Sequence, residues 1–181
     1  MKTNRNVHSR GLLAFALLVC GFASGAETIT ASSSNSELTF NGEHAGMPFS
    51  GTFEQWQSTL ILPPAESPTI TATFELSSAK TGDWTYDSTL PEADWFNTEV
   101  HPKGAFTSLH IAPSPKGVDV SGELTLRGIT KPIEFSLEGS RKMGYTATIT
   151  IDRLAFDIGK ESDPDAEWVS RDIVLRLTIN R

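Results

Sequence analysis

Val118-Asp119-Val120-Ser121-Gly122-Glu123-Leu124-Thr125-Leu126 sets apolar side chains at alternate positions, with Gly122 the one gap, and acidic or hydroxyl side chains between them. Successive side chains of a strand point to opposite faces, so a period of two marks a strand with one buried and one wet face. Gly128 follows as a turn residue, and Ile133, Phe135 and Leu137 then alternate with Glu134, Ser136 and Glu138. Thr130-Lys131-Pro132 leads into that second run. A strand start is where proline's missing N–H does no harm.

The same period recurs on both sides of this pair. Ile70, Ala72, Phe74 and Leu76 alternate with threonines and Glu75. Tyr145, Ala147, Ile149 and Ile151 alternate with Thr146, Thr148, Thr150 and Asp152, and Ile173, Leu175, Leu177 and Ile179 repeat the pattern with Val174 as its one break. Turn-forming clusters separate the runs: Pro63-Pro64, Pro113 to Gly117, and Ser140 to Gly144. Residues 84–102 are the least strand-like stretch and read as a loop carrying a short helix. The expectation is one all-β antiparallel domain over residues 27–181, with about eight strands closed into a lipocalin-like barrel, since closure removes exposed edges. A two-sheet sandwich has the same alternation. Eight strands enclose room for packed side chains or for one small ligand.

Residues 1–26 read differently. Lys2, Arg5 and Arg10 precede the apolar run from Gly11 to Phe22, and small residues follow, so Ala23-Ser24-Gly25 or Ser24-Gly25-Ala26 fits a cleavage site. This is the order of a secretory signal peptide, and the run is too short to span a bilayer. A lipoprotein signal ending at Cys20 is the rival, weakened by the bulky Val19 where a small residue is needed. The expected location is the periplasm or the exterior. Cleavage removes Cys20, the single cysteine, and three of the 15 basic residues but none of the 22 acidic ones. A surface that acidic repels phosphates, which argues against nucleic acid as a partner.

Four further pieces of sequence point to a family. They are Gly51-Thr52-Phe53 with Trp56; Ser77 to Gly82 followed by Asp87 and Leu90; Asp94-Trp95-Phe96-Asn97 through His101-Pro102 to Phe106-Thr107-Ser108; and Gly122 to Pro132. Together they resemble the YceI-like family of exported, lipocalin-like proteins that bind polyisoprenoids and related lipids, over roughly Ser36 to Ile179. A looser fifth piece runs from Asp152-Arg153 through Phe156 to Gly159. The resemblance implies a long barrel whose apolar interior holds an isoprenoid, quinone-like or fatty tail. One departure is Tyr86, which stands where such proteins often carry an arginine and so removes a charged contact to a ligand head group. The residues expected to meet the ligand are Phe40, Phe53, Trp56, Phe74, Leu76, Tyr86, Asp87, Phe106, Leu124, Phe135, Tyr145 and Ile149. Oligomeric state stays open.

Other chemistries have weaker anchors. His44, His101 and His110 sit at no metal-ligand spacing. Glu161, Asp163, Asp165 and Glu167 alternate like calcium ligands, but the loop lacks the required glycine and reads as a solvated acidic loop. With no cysteine remaining, no metal or other cofactor is expected. No serine occupies a Gly-x-Ser-x-Gly elbow. Asp83, Asp87 and Asp94 offer paired carboxylates to an envelope enzyme, although such residues more often cap turns or short helices. The aromatics, Trp84 and Trp95 among them, read as core. The expectation is therefore a binding protein and not an enzyme, acting as a lipid carrier or as a scavenger of hydrophobic toxic molecules.

Overall fold

A computed structural model describes residues 28–180. The expected signal peptide and Cys20 lie outside the described residues. The alternating runs become strands at the expected places: β5 (Thr69–Glu75), β8 (Gly117–Leu126), β9 (Ile129–Ser140), β10 (Gly144–Asp152) and β11 (Asp172–Ile179). Along β8 the buried positions are Val118, Val120, Gly122, Leu124 and Leu126. The sheet has eleven strands instead of eight. Besides the five alternating runs it contains β1 (Thr28–Ser32), β2 (Ser36–His44), β3 (Met47–Phe53), β4 (Trp56–Ile61), the two-residue β6 (Ala79–Lys80) and β7 (Lys103–Ser114).

In β3 and β7 the alternation is obscured for physical reasons. Pro48 and Gly51 interrupt β3. In β7 the register slips between Ser108 and His110, so Phe106 and Ile111 are both buried although five residues apart, and Leu109 between them is 70% exposed. A bulge inserts one extra residue and reverses the phase of everything after it.

The strands pair antiparallel in the order β1-β4-β5-β7-β8-β9-β10-β11-β2-β3-β6. Within it, β4 and β3 end a run of nine strands, yet only Glu54 and Gln55 separate them in sequence. Two residues reach at most about 11 Å between flanking Cα atoms. The sheet must therefore curl until its ends meet, which gives a barrel-like wall. The seam is laced by Glu54 N–H donating to Ser78 O at 3.0 Å, Gln55 N–H to Ser78 Oγ at 3.1 Å and Glu75 N–H to Gln55 O at 2.9 Å. Those partners belong to the 3-10 turn Leu76–Ser78 and its approach.

A second weak seam lies between β9 and β10, which pair only over Glu138–Ser140 on the β9 side. The 3-10 turn Arg153–Phe156 packs beside β9 there. As expected, 84–102 carries one short helix, α1 (Trp84–Thr89), capped by the Asp83 carboxylate accepting from Thr85 and Tyr86 N–H. Against expectation Trp84 is no core residue, being 82% exposed.

Two glycines set how aromatic rings lie on the inner wall. Gly51 faces Phe40 across β2 and β3, and Gly104 faces Phe74 across β5 and β7. A Cβ at either position would run into the opposite ring. Each ring therefore lies against its neighbour's bare backbone, an arrangement that steadies a glycine-bearing strand.

Candidate functional site: an apolar cavity with a mouth beside the short helix

The inner faces of the sheet enclose a hollow interior. A cavity of about 140 Å³ is walled by β2 to β5, by β7 to β11 and by the loops after α1 and β10. Eight of the twelve expected ligand-binding residues line it: Phe40, Phe53, Trp56 and Phe74 near the seam, and Phe106, Leu124, Phe135 and Ile149 on the opposite wall. Phe53 sits at the centre of a chain of rings, 5.4 Å from Phe40, 5.3 Å from Phe74 and 6.3 Å from Phe96. Phe106 meets Phe135 at 5.5 Å. All four pairs are tilted and fall in the separation range that aromatic pairs favour.

The other four residues lie elsewhere. Leu76 is fully buried in the 3-10 turn, where its N–H donates to Pro102 O, and it does not touch the cavity. Tyr145 is buried at the far end of β10, opposite Ile179. Asp87 turns its carboxylate to Thr81, accepting from the backbone N–H at 2.6 Å and from Oγ1 at 2.9 Å. Tyr86 belongs to the mouth.

That mouth is an adjoining hollow of about 250 Å³ which shares Phe40, Phe49, Leu90, Trp95 and Val169 with the cavity. Tyr86 Oη and His44 Nδ1 are hydrogen-bonded at 2.8 Å on its rim, and Thr81, Thr85 and Thr89 complete it. The two hollows thus have apolar side chains in common.

The sequence carries no direct sign of a polar knot on the cavity wall. Arg153 lines the cavity yet is 1% exposed. Its guanidinium donates to the carbonyls of Ser170, Ile158, Gly159 and Val169 and to the Asp163 carboxylate at 2.6 Å, and it lies 5.8 Å from the centre of the Trp95 ring. Burial pulls the guanidinium below its usual range, against the opposing pull of Asp163. Asp163 is consequently no solvated loop residue. Burial works to raise its pKa, but N–H donors from Val169, Trp168 and Glu167 together with Arg153 bring it below the ordinary carboxylate value. The knot ties residues 158–170 into one plug under the mouth. The one sign of it in the sequence was the loose piece Asp152-Arg153 to Gly159.

The three aspartates weighed for catalysis are all committed locally. Asp83 caps α1, Asp87 holds Thr81, and Asp94 accepts from Glu161 N–H and from the Ser162 N–H and hydroxyl. Burial raises the pKa of Asp87 and Asp94, yet the hydrogen bonds outweigh it and leave both lowered. Carboxylates held in the charged form serve poorly as general acids at neutral pH.

A YceI-like domain model matches residues 29–180. The chain belongs to the YceI-like family. Among its relatives, a UPF0312 protein of Photorhabdus laumondii is 27% identical over 172 residues, covering 81% of this chain and 89% of its own length. Protein YceI of Escherichia coli is 27% identical over 146 residues, covering 73% and 75%. Solved structures of the same fold include BcnA of Burkholderia cenocepacia, with TM-score 0.71 at 22% identity over 81% of this chain and 96% of that one. A polyisoprenoid binding domain from Saccharophagus degradans aligns with TM-score 0.63 at 14% identity, covering 84% and 95%. In this YceI-like chain the curled antiparallel sheet and its apolar interior are the features the family resemblance implied. No helix among the described residues is long and apolar enough to cross a membrane.

Proposed function

We propose that this chain is an exported, non-catalytic carrier that holds the apolar tail of an isoprenoid, quinone-like or fatty lipid inside its curled sheet. The observation that carries the reading is the apolar cavity together with an adjoining hollow that shares five of its wall residues. An apolar void of about 150 Å³ stays dry and takes a benzene-sized ring. At about 140 Å³ the cavity is on that scale, so a longer tail runs through the mouth as well. Each methylene removed from water contributes about 0.8 kcal/mol, which gives a tail most of its affinity without polar contacts. Support also comes from the Saccharophagus domain, whose name states polyisoprenoid binding, and from the apolar run at residues 11–22 that fits export to the periplasm or beyond. The fold uses no cofactor in this role. The same cavity serves a carrier of a resident lipid or a scavenger of hydrophobic toxic molecules, which differ only in what is captured.

The proposal makes a quantitative prediction for straight-chain primary alcohols of increasing length. Affinity should climb about fourfold per added methylene and then level off when cavity and mouth are full. Calorimetric titration of the series measures it. A flat dependence on length from the start would contradict tail burial.

A further inference from the structure

Phe40, Phe49, Leu90, Trp95 and Val169 line the cavity and the mouth alike. A side chain that borders both spaces stands between them, so these five decide whether one molecule occupies both. Four of the five are held by their neighbours. Phe40 lies against the bare backbone of Gly51 and 5.4 Å from the Phe53 ring. Phe49 meets Phe40 at 6.4 Å and Tyr86 at 6.0 Å. The Trp95 ring packs on Gly159, where an added Cβ would come within 3.1 Å of it, and lies 5.8 Å from the Arg153 guanidinium. Val169 is tied into the knot by its N–H on Asp163 and its carbonyl on Arg153. Leu90 differs from these. It caps the C-terminus of α1, outside the sheet, and is half-buried. Its backbone is fixed, the N–H donating to Tyr86 O and the carbonyl accepting from Phe96 N–H, each at 2.9 Å. Its aliphatic side chain is packed by contact alone, and a leucine moves its branched end by passing between staggered rotamers while the backbone stays in place.

We infer that Leu90 sets how long an apolar tail the protein accepts, by setting how far the two hollows are joined. This rests on the tail-binding reading and names the residue that gives it selectivity. The cavity of about 140 Å³ takes a benzene-sized group, so each further methylene lies at the boundary or in the hollow of about 250 Å³ beyond it. Both spaces are walled almost wholly by carbon, which leaves room and shape, in place of hydrogen bonds, to discriminate among tails. A bulkier side chain at Leu90 divides the space and confines the tail to one hollow. A smaller one adds to the space that a single tail fills.

The series of straight-chain primary alcohols, titrated calorimetrically into the unaltered protein, Leu90→Trp and Leu90→Ala, tests this. In the unaltered protein affinity should climb about fourfold per methylene up to a limiting length. Leu90→Trp should follow the same climb for the shorter alcohols and level off sooner. An alcohol three methylenes past its new limit, and still within the parent's, should then bind about 60-fold more weakly than it does to the unaltered protein. Leu90→Ala leaves a methyl group in place of the isobutyl group and should level off later, by about one to three methylenes. The deciding quantity is the limiting length, which a loosened fold does not move, since that weakens every alcohol alike. Should Leu90→Trp fail to fold, the later limit of Leu90→Ala decides alone. One limiting length shared by the unaltered protein and its folded variants, or losses equal at every length, would overturn the inference. An unaltered protein whose affinity shows no climb at all would instead remove the tail-binding reading beneath it.

Discussion

Asp163→Ala should cost about 3–5 kcal/mol in urea unfolding, because it leaves the Arg153 guanidinium buried and unpaired. Both side chains are nearly sealed from solvent, at 2% and 6% exposure. The backbone N–H groups of Glu167, Trp168 and Val169 lose their acceptor in the same step. Arg153→Met attacks the knot from the other side and strips donors from the carbonyls of Ile158, Gly159, Val169 and Ser170. It should be no milder. The pH dependence follows from the lowered pKa of Asp163. A depressed carboxyl contributes its stability above its unfolded pKa, near 3.9, and loses it as pH falls through the folded value. The unaltered protein should therefore lose stability on acidification below about pH 4, and Asp163→Ala should lose less over that interval. A variant within about 1 kcal/mol of the parent would mean that the pair is not sealed as described.

The second large effect separates core from cavity. Leu76 and Phe74 are two residues apart and both buried, but only Phe74 lines the hollow. Leu76→Ala opens a new void in packed surroundings and should cost about 2–5 kcal/mol while retention of bound lipid stays as before. Phe74→Ala in a solid core costs about 3–5 kcal/mol. Here one side of the ring already faces empty space and makes fewer contacts to lose, so the delipidated protein should fall below that range. Its main effect should be weaker lipid retention. Thr73→Ala, on the exposed face of the same strand, is the near-silent control. Urea unfolding of the delipidated forms and lipid per protein before extraction give both numbers. A full core-sized loss for Phe74→Ala with retention unchanged would mean that the interior is packed solid at that wall.

Where the chain keeps a strict period of two, the sequence was readable. The faces of β5, β8, β9, β10 and β11 follow from it, and through them Phe74, Leu124, Phe135 and Ile149 on the cavity wall. The bulge in β7 and the proline and glycine of β3 break the period, which is why the strand number came out short. Alternation also cannot say how far along a strand the hollow extends. Leu76 and Tyr145 share a face with cavity residues but lie beyond its ends. The plug was illegible for a different reason. An arginine and an aspartate ten residues apart in a polar loop look like surface residues until the fold shows that four carbonyls converge on the guanidinium.

The central claim is that the hollow interior is occupied by one apolar-tailed molecule when the protein does its work. Mass spectrometry of an organic extract tests it most directly, using the protein purified without detergent from the envelope that produces it, with extracted lipid counted against protein. The account predicts close to one lipid per chain, of a single tail class. Its identity, a resident lipid or a foreign hydrophobic compound, decides between carrier and scavenger. An extract that yields no apolar molecule, from protein whose melting temperature does not move when farnesol is added, would contradict it.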